Sequence, residues 1–258
     1  MTKIFITITL LILSWFSVAQ VTENRTLNPF SKLQASQGIE VHYTVSNTNE
    51  IKVETDDKEK LKLIKTEVEN ETLKIFISAE ENNKANRKNK KRFNTNFNIL
   101  KVYVSGNPLK LIKATSSATI NIINTNKTEQ IEVYTSSSGS ISGNFDCTHF
   151  NADIASSGNL EGTLSGNTAT MVLSSSGQIE LNGKVTSLQL KASSSADCNL
   201  KKLIIETAII KASSSANVTI TTTKKLEAIA SSSAEINYFG NPTDVNKEEM
   251  ASGSVNKK

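Results

Sequence analysis

The chain has 258 residues, 37% apolar and only 5% aromatic, with 29 basic and 25 acidic residues for a net charge of +4. That apolar content is lean for a globule and adequate for a thin coil with a narrow aliphatic core. Two histidines and two cysteines leave little material for acid–base, metal or disulfide chemistry, and the charge is uneven. From Gly106 onward 13 lysines balance 13 acids with no arginine, whereas Lys84 to Arg92 carries six positive charges and no negative one.

The first nineteen residues read as an export signal. Lys3 supplies the positive start, Ile4 to Phe16 is apolar apart from Thr and Ser, and Ser17-Val18-Ala19 fits a small-residue cleavage site. Cleavage is expected before Gln20, where no lipoprotein-type cysteine stands. No other stretch approaches the roughly 20 apolar residues of a spanning helix. The expected location is therefore exported: periplasmic, outer-surface or secreted.

Residues 20–105 read as a β-rich N-terminal cap. Gly38-Ile39-Glu40-Val41 and Ile51-Lys52-Val53 alternate, and Glu67-Val68-Glu69 and Leu73-Lys74-Ile75-Phe76-Ile77 flank an Asn70-Glu71 hairpin turn. Such a segment would cover the edge of whatever follows. Within it, Lys84, Arg87, Lys88, Lys90, Lys91 and Arg92 form a basic run that could contact a polyanion. A solvated loop gives the same pattern, and no nucleic-acid fold signature accompanies it.

Residues 106–258 repeat. A serine-heavy triplet recurs eight times, and its small last residue falls at Ala118, Gly139, Gly158, Gly177, Ala196, Ala216, Ala234 and Gly253, steps of 21, 19, 19, 19, 20, 18 and 19. With that residue as position zero, position +2 is apolar in every copy, from Ile120 and Ile141 to Val255. Positions −4 and −6 are apolar or Thr, giving a period of two, the mark of strands with one buried face. Strands repeating in one orientation every 19 residues or so must stack in parallel. The predicted fold is all-β: a right-handed parallel β-helix of about eight coils behind the N-terminal cap.

Parity places Ser116, Ser137, Ser156, Ser175, Ser194, Ser214 and Ser232, at position −2, on the inward side, where their hydroxyls would need partners in a stacked ladder. Position zero is alanine in four copies of eight. A positive φ would penalise each alanine, so the expected constraint there is steric. Cys147 and Cys198 lie about three repeats apart, some ~14 Å at strand spacing, beyond disulfide reach, and read as free apolar fillers.

Catalytic readings are weak. Seven equivalent serines cannot share one histidine, and only His149 lies among the repeats. Asp146, Asp153, Glu161, Glu180 and Asp197 read as scattered over different repeat positions, without a calcium-type loop or a converging carboxylate pair. No catalytic residue, cofactor or metal site is expected.

Phe30-x-x-Leu33 with Gly38-Ile39-Glu40-Val41, the Pro108-Leu109-x-Leu111-Ile112 entry, the repeated Ser-Ser-Gly or Ser-Ser-Ala and the closing Ile236-Asn237-Tyr238-Phe239-Gly240-Asn241-Pro242 resemble, in that order, the secreted head GIN domain family of auto-transporter adhesins. The resemblance runs from Phe30 to Val255. It implies a β-helix with likeness to pectin lyases, no established catalytic residues and a role in adhesion. The expected function is a non-enzymatic envelope protein, adhesin-like or scaffolding, that binds a glycan or protein partner rather than nucleic acid. The alternative is a polysaccharide-acting enzyme on a pectin-lyase-like helix. Self-association depends on how the last coil is covered, and the charged tail 246–258 argues for protection.

Overall fold

The computed structural model describes residues 20–78 and 97–258. The export signal and the basic run 84–92 lie outside the described residues. Among the described residues eighteen strands join in one sheet system, and the columns expected from the repeat are part of its core. At position +2, Ile120, Ile141, Leu160, Ile179, Cys198, Val218, Ile236 and Val255 pair rung over rung and are all buried. Positions −4 and −6 are buried from Ala114 and Ile112 to Ala230 and Ala228. The coil is a parallel β-solenoid, whose inward columns supply the hydrophobic driving force while each coil satisfies its neighbours' backbone.

Full coils contain one long strand each: β11 (Ser140–Ile154), β12 (Asn159–Leu173), β13 (Gln178–Ala192), β14 (Asp197–Ala212) and β15 (Asn217–Ser231). The burial pattern divides each into three sides. In β11, Ile141, then Phe145 and Cys147, then Phe150, Ala152 and Ile154 face inward, with the alternation slipping at Gly143-Asn144 and at Thr148-His149. Phe145 and Phe150 fill the broad corner between the second and third sides, their ring centroids 5.6 Å apart. Gly183, at φ +114, bends the next-but-one coil, in a conformation that a side chain would strain.

The serine corner differs from expectation. Both corner residues, Ser175 and Ser176 for example, have left-handed backbone (φ 50 and 60) and are exposed. The predicted inward serine column does not exist. Two successive positive-φ residues make a tight turn of type I′ character, closed by position zero donating to position −3, as from the Gly177 N–H to the Ser174 carbonyl at 2.9 Å. Strand parity holds only while the backbone stays extended, and this turn resets it. The corners are held instead by backbone: the Ser157 N–H donates to the Ser175 carbonyl and the Ser176 N–H to the Ser194 carbonyl, each at 3.0 Å, and the pattern repeats along the stack. No corner-serine hydroxyl makes a side-chain hydrogen bond among the described residues.

Position zero behaves as the alternation of glycine and alanine suggests. None of its residues has positive φ, and a methyl on Gly139, Gly158, Gly177 or Gly253 would press into the position −4 backbone of the preceding coil. Copies with alanine open slightly: their turn hydrogen bonds measure 3.1–3.2 Å against 2.9 Å in the glycine copies.

The N-terminal strands enter the stack out of sequence order. Strands β2 (Lys32–Ala35) and β3 (Glu40–Val45) pair in parallel with β8 (Leu111–Thr115) and β9 (Thr119–Ile122). Between β2 and β3, Gln37 and Gly38 (φ 63 and 72) repeat the corner, and the Gly38 N–H donates to the Ser116 carbonyl. On their other edges lie β6 (Thr72–Ile77) and β7 (Leu100–Gly106), also parallel. Antiparallel strands then end the stack: β5 (Ile64–Glu69) on β6, and β4 (Glu50–Thr55) on β7, with β1 (Val21–Arg25) outside β4. Asn70 and Glu71 form the left-handed hairpin turn between β5 and β6.

Polar contacts hold this end. The Arg25 guanidinium donates to the Leu61 and Ile64 carbonyls at 2.9 and 2.7 Å, around the short helix α1 (Lys58–Leu61). Lys60 and Asp56 form a buried ion pair, 2.9 Å apart, and Asp56 also accepts from the Asn98 backbone N–H. Burial pulls the Asp56 carboxyl upward, but these bonds outweigh it and hold it below the ordinary carboxylate value.

At the opposite end, β16 (Glu235–Phe239), β17 (Asp244–Met250) and β18 (Ser254–Lys257) form the last described coil. Positions in register with the inward columns break the column rule: Lys247 lies over Ala228 and Glu249 over Ala230, and both side chains are exposed at this open end. The two pair at 3.7 Å, and Glu249 accepts from the Val255 N–H at 2.8 Å. Charges at the column positions of a terminal strand discourage edge-to-edge pairing.

Cys147 and Cys198 are free and buried. Burial, helped by Asp146, pushes the Cys147 thiol up to about 11, and burial raises Cys198 further. Among the described residues no helix is long and apolar enough to cross a membrane.

Candidate functional site

The first side of the coil, just after the serine corner, presents its outward residues in an unbroken strip. Register connects Asn24 of β1 to Lys52 of β4, Tyr103 of β7 and His42 of β3, then to Asn121, Ser142, Glu161 and Glu180, and onward to Asn256. From Asn121 to Asn256 the strip is amides, hydroxyls and carboxylates. Neighbouring rungs bond in places, as where the Ser142 hydroxyl donates to the Asn121 side chain at 2.8 Å.

Residues on and beside β1, β3, β4 and β7, with Ile123 just past β9, converge at the head of this strip around a groove of about 710 Å³. At its centre the Tyr103 ring is sandwiched. His42 stacks on one neighbouring rung, centroids 5.1 Å apart at 15°, and the Lys52 ammonium lies 4.6 Å from the ring centroid on the other. His42 Nε2 sits 2.7 Å from Glu40 Oε1, misaligned for a hydrogen bond. Glu40 also holds Lys101 at 3.3 Å, which raises the Lys101 ammonium above its ordinary value. Glu50, Thr44 and Ser105 line the groove beside Ile123, the most exposed large apolar side chain among the described residues at 57%.

The acids weighed from sequence fall as follows. Glu161 and Glu180 do not occupy different repeat positions; both are at +3, and register sets them side by side on the open first side. Asp197 accepts from the Asn217 amide at 3.0 Å, and Asp146 pairs with Lys127 at 2.9 Å on the second side. Among the described residues no group of three or more His, Cys, Asp or Glu side chains is placed to hold a metal ion. His149 contacts the Thr168 hydroxyl at 2.8 Å on a corner away from the serine turns. The candidate polyanion contacts Lys84, Arg87, Lys88, Lys90, Lys91 and Arg92 lie outside the described residues, between β6 and β7.

The head groove was missed from sequence. Its residues come from on and beside β1, β3, β4 and β7 and from Ile123 just past β9, and nothing in the local pattern of any one strand reveals that Lys52, Tyr103 and His42 share a row. The Asn70-Glu71 hairpin and the corner hidden in Gln37-Gly38 were the available signals.

Solved structures share this fold. A protein from Parabacteroides merdae described as a putative adhesin has a TM-score of 0.83 at 16% identity, covering 93% of this chain and 96% of that one. A second so described, from Parabacteroides distasonis, gives 0.83 at 14%, covering 93% and 97%. A protein described as putative lipid binding, also from Parabacteroides distasonis, gives 0.78 at 23%, covering 93% and 96%. Comparison with curated proteins gave no match. The family model described as "Putative auto-transporter adhesin, head GIN domain" matches residues 29–242, and the chain belongs to that family.

Proposed function

We propose that the protein is an exported, non-enzymatic recognition module of the cell envelope, which holds a glycan or protein partner against the first side of its coil. The observation that carries this reading is the continuous outward strip from Asn24 to Asn256, one polar residue per rung, ending in the head groove. A rigid solenoid holds those side chains at fixed spacing, so a partner meets a preorganised surface and little ordering entropy is lost on binding. Family membership and the adhesin-like fold relatives support the same reading. The test is retention of the chain from Gln20 onward on glycan arrays and on bacterial and host surfaces. Absence of retention on all of them would overturn the proposal.

One observation favours an enzyme. Glu161 and Glu180 are rung neighbours, and strand spacing of about 4.8 Å approaches the ~5–5.5 Å carboxylate separation of retaining glycosidases. Those enzymes place their carboxylates on opposite sides of the scissile bond, whereas these stand side by side on an open face. Polysaccharide cleavage lost in Glu161→Gln and Glu180→Gln would establish the enzyme reading. The basic run at 84–92 supplies a separate polyanion contact in this proposal, and its binding would weaken steeply with salt.

A further inference from the structure

We infer that the head groove binds a neutral saccharide of one or two sugar rings. The inference rests on the recognition reading above and gives it a ligand class. Its volume, about 710 Å³, lies within the ~300–1,000 Å³ range of small-molecule sites.

The lining selects by charge. Lys52 and Glu50 both face the groove from β4, neither with an ion-pair partner among the described residues, and the other cation there, Arg25, is already paired with Glu23 and bonded to the Leu61 and Ile64 carbonyls. A polyanion meets Glu50 and a polycation meets Lys52, so neither is favoured. A hydroxyl can accept from the ammonium and donate to the carboxylate; Asn24 and Thr44 can do both, and Ser105, whose hydroxyl donates to the Thr48 carbonyl at 3.0 Å, can accept. An uncharged ring carrying several hydroxyls matches that set of donors and acceptors.

The apolar surface is equally selective. Ile51 and Val104 line the groove but are only 3% and 2% exposed, so no deep apolar pocket is offered to a peptide side chain. What remains is the Ile123 side chain at the rim, suited to the C–H face of one sugar ring. Tyr103 cannot act as a stacking platform, because His42 and Lys52 cover its two faces. It is held fixed and meets a ligand with its edge and hydroxyl. The geometry therefore predicts recognition by hydrogen bonds to the ring hydroxyls, with Ile123 and the aliphatic stems of the polar lining residues giving the apolar contacts.

The experiment uses the chain from Gln20 onward and a panel of neutral probes: glucose, galactose, mannose, N-acetylglucosamine and their β-linked disaccharides. NMR follows the His42 and Tyr103 side-chain resonances. At least one probe is expected to shift them saturably, and Thr44→Trp, which fills the groove from an exposed position, should weaken that probe by at least about tenfold. Glu50→Gln, on an exposed side chain, gives the same readout if the tryptophan variant fails to fold. Saturable binding that neither variant weakens would overturn the groove as the site. Binding to cells or to a protein partner with no saccharide shift would overturn the ligand class and leave the recognition reading standing. No binding of any kind would remove both.

Discussion

Substitution of Ser175 tests whether the corners are held by backbone geometry or by serine hydroxyls. Ser175 and Ser176 sit at φ 50 and 60, are exposed, and are bonded to neighbouring coils through backbone groups alone. A left-handed residue with a Cβ costs about 1–2 kcal/mol. Glycine removes that strain and gives back about 0.4–1 kcal/mol through the greater freedom of its unfolded chain. Ser175→Gly should therefore be up to about 1.6 kcal/mol more stable than Ser175→Ala, which itself should lie within about 0.5 kcal/mol of the parent. Ser175→Val should lose about 1–2 kcal/mol or more, because a β-branched side chain crowds a positive-φ backbone. Urea midpoints at unchanged m-value, followed by circular dichroism, measure all three. An inward hydroxyl ladder predicts the opposite order: alanine and glycine would each lose about 1–3 kcal/mol from unpaired partners. That result would refute the backbone account of the corner.

Leu160 is fully buried between Ile141 and Ile179 in its column, so Leu160→Ala should cost about 2–5 kcal/mol in the same urea assay. Asp56 has its pKa lowered in the fold, so its stabilising contribution is present above the ordinary carboxylate value and is lost as pH falls through the folded one; Asp56→Asn should flatten the stability profile below about pH 4. With its thiol pushed up to about 11, Cys147 should resist alkylation at neutral pH until the chain is unfolded, as should the deeper Cys198, and iodoacetamide labelling with and without urea reads both. Replacing the column residues Lys247 and Glu249 together by Leu and Ala restores the apolar columns at the last described coil, and light scattering should then show concentration-dependent association absent from the parent.

The inward columns were legible because hydrophobic parity is a physical consequence of extended backbone. Ile141, Leu160 and Ile179 could be aligned from spacing alone, and the glycine–alanine alternation correctly pointed to a steric limit. The same parity failed one residue past its domain of validity, at Ser175. Serine is not a strong left-handed turn residue, so Ser-Ser lacked the Asn-Gly signature by which such turns are recognised. The corner at Gln37-Gly38 was hidden for a related reason: position zero there is the bulky Ile39, buried without the small residue that marked the other eight copies.

The head groove was illegible for a topological reason. Along the repeats, register follows from the step of 19 or so, and any outward neighbour can be counted off. In the N-terminal region the rung order is β4, β7, β3, β9, with β4 running against β7. No period relates Lys52 to Tyr103 or Tyr103 to His42, because three separate connections set their alignment. Repetition keeps the inward columns almost wholly apolar until the last described coil, while outward positions are free to vary. The residues that distinguish this coil from a generic one should therefore concentrate where repetition stops. Lys52, Tyr103, His42 and Glu50 stand at that boundary, the first place where the strip gains an aromatic ring, a cation and a concave wall together.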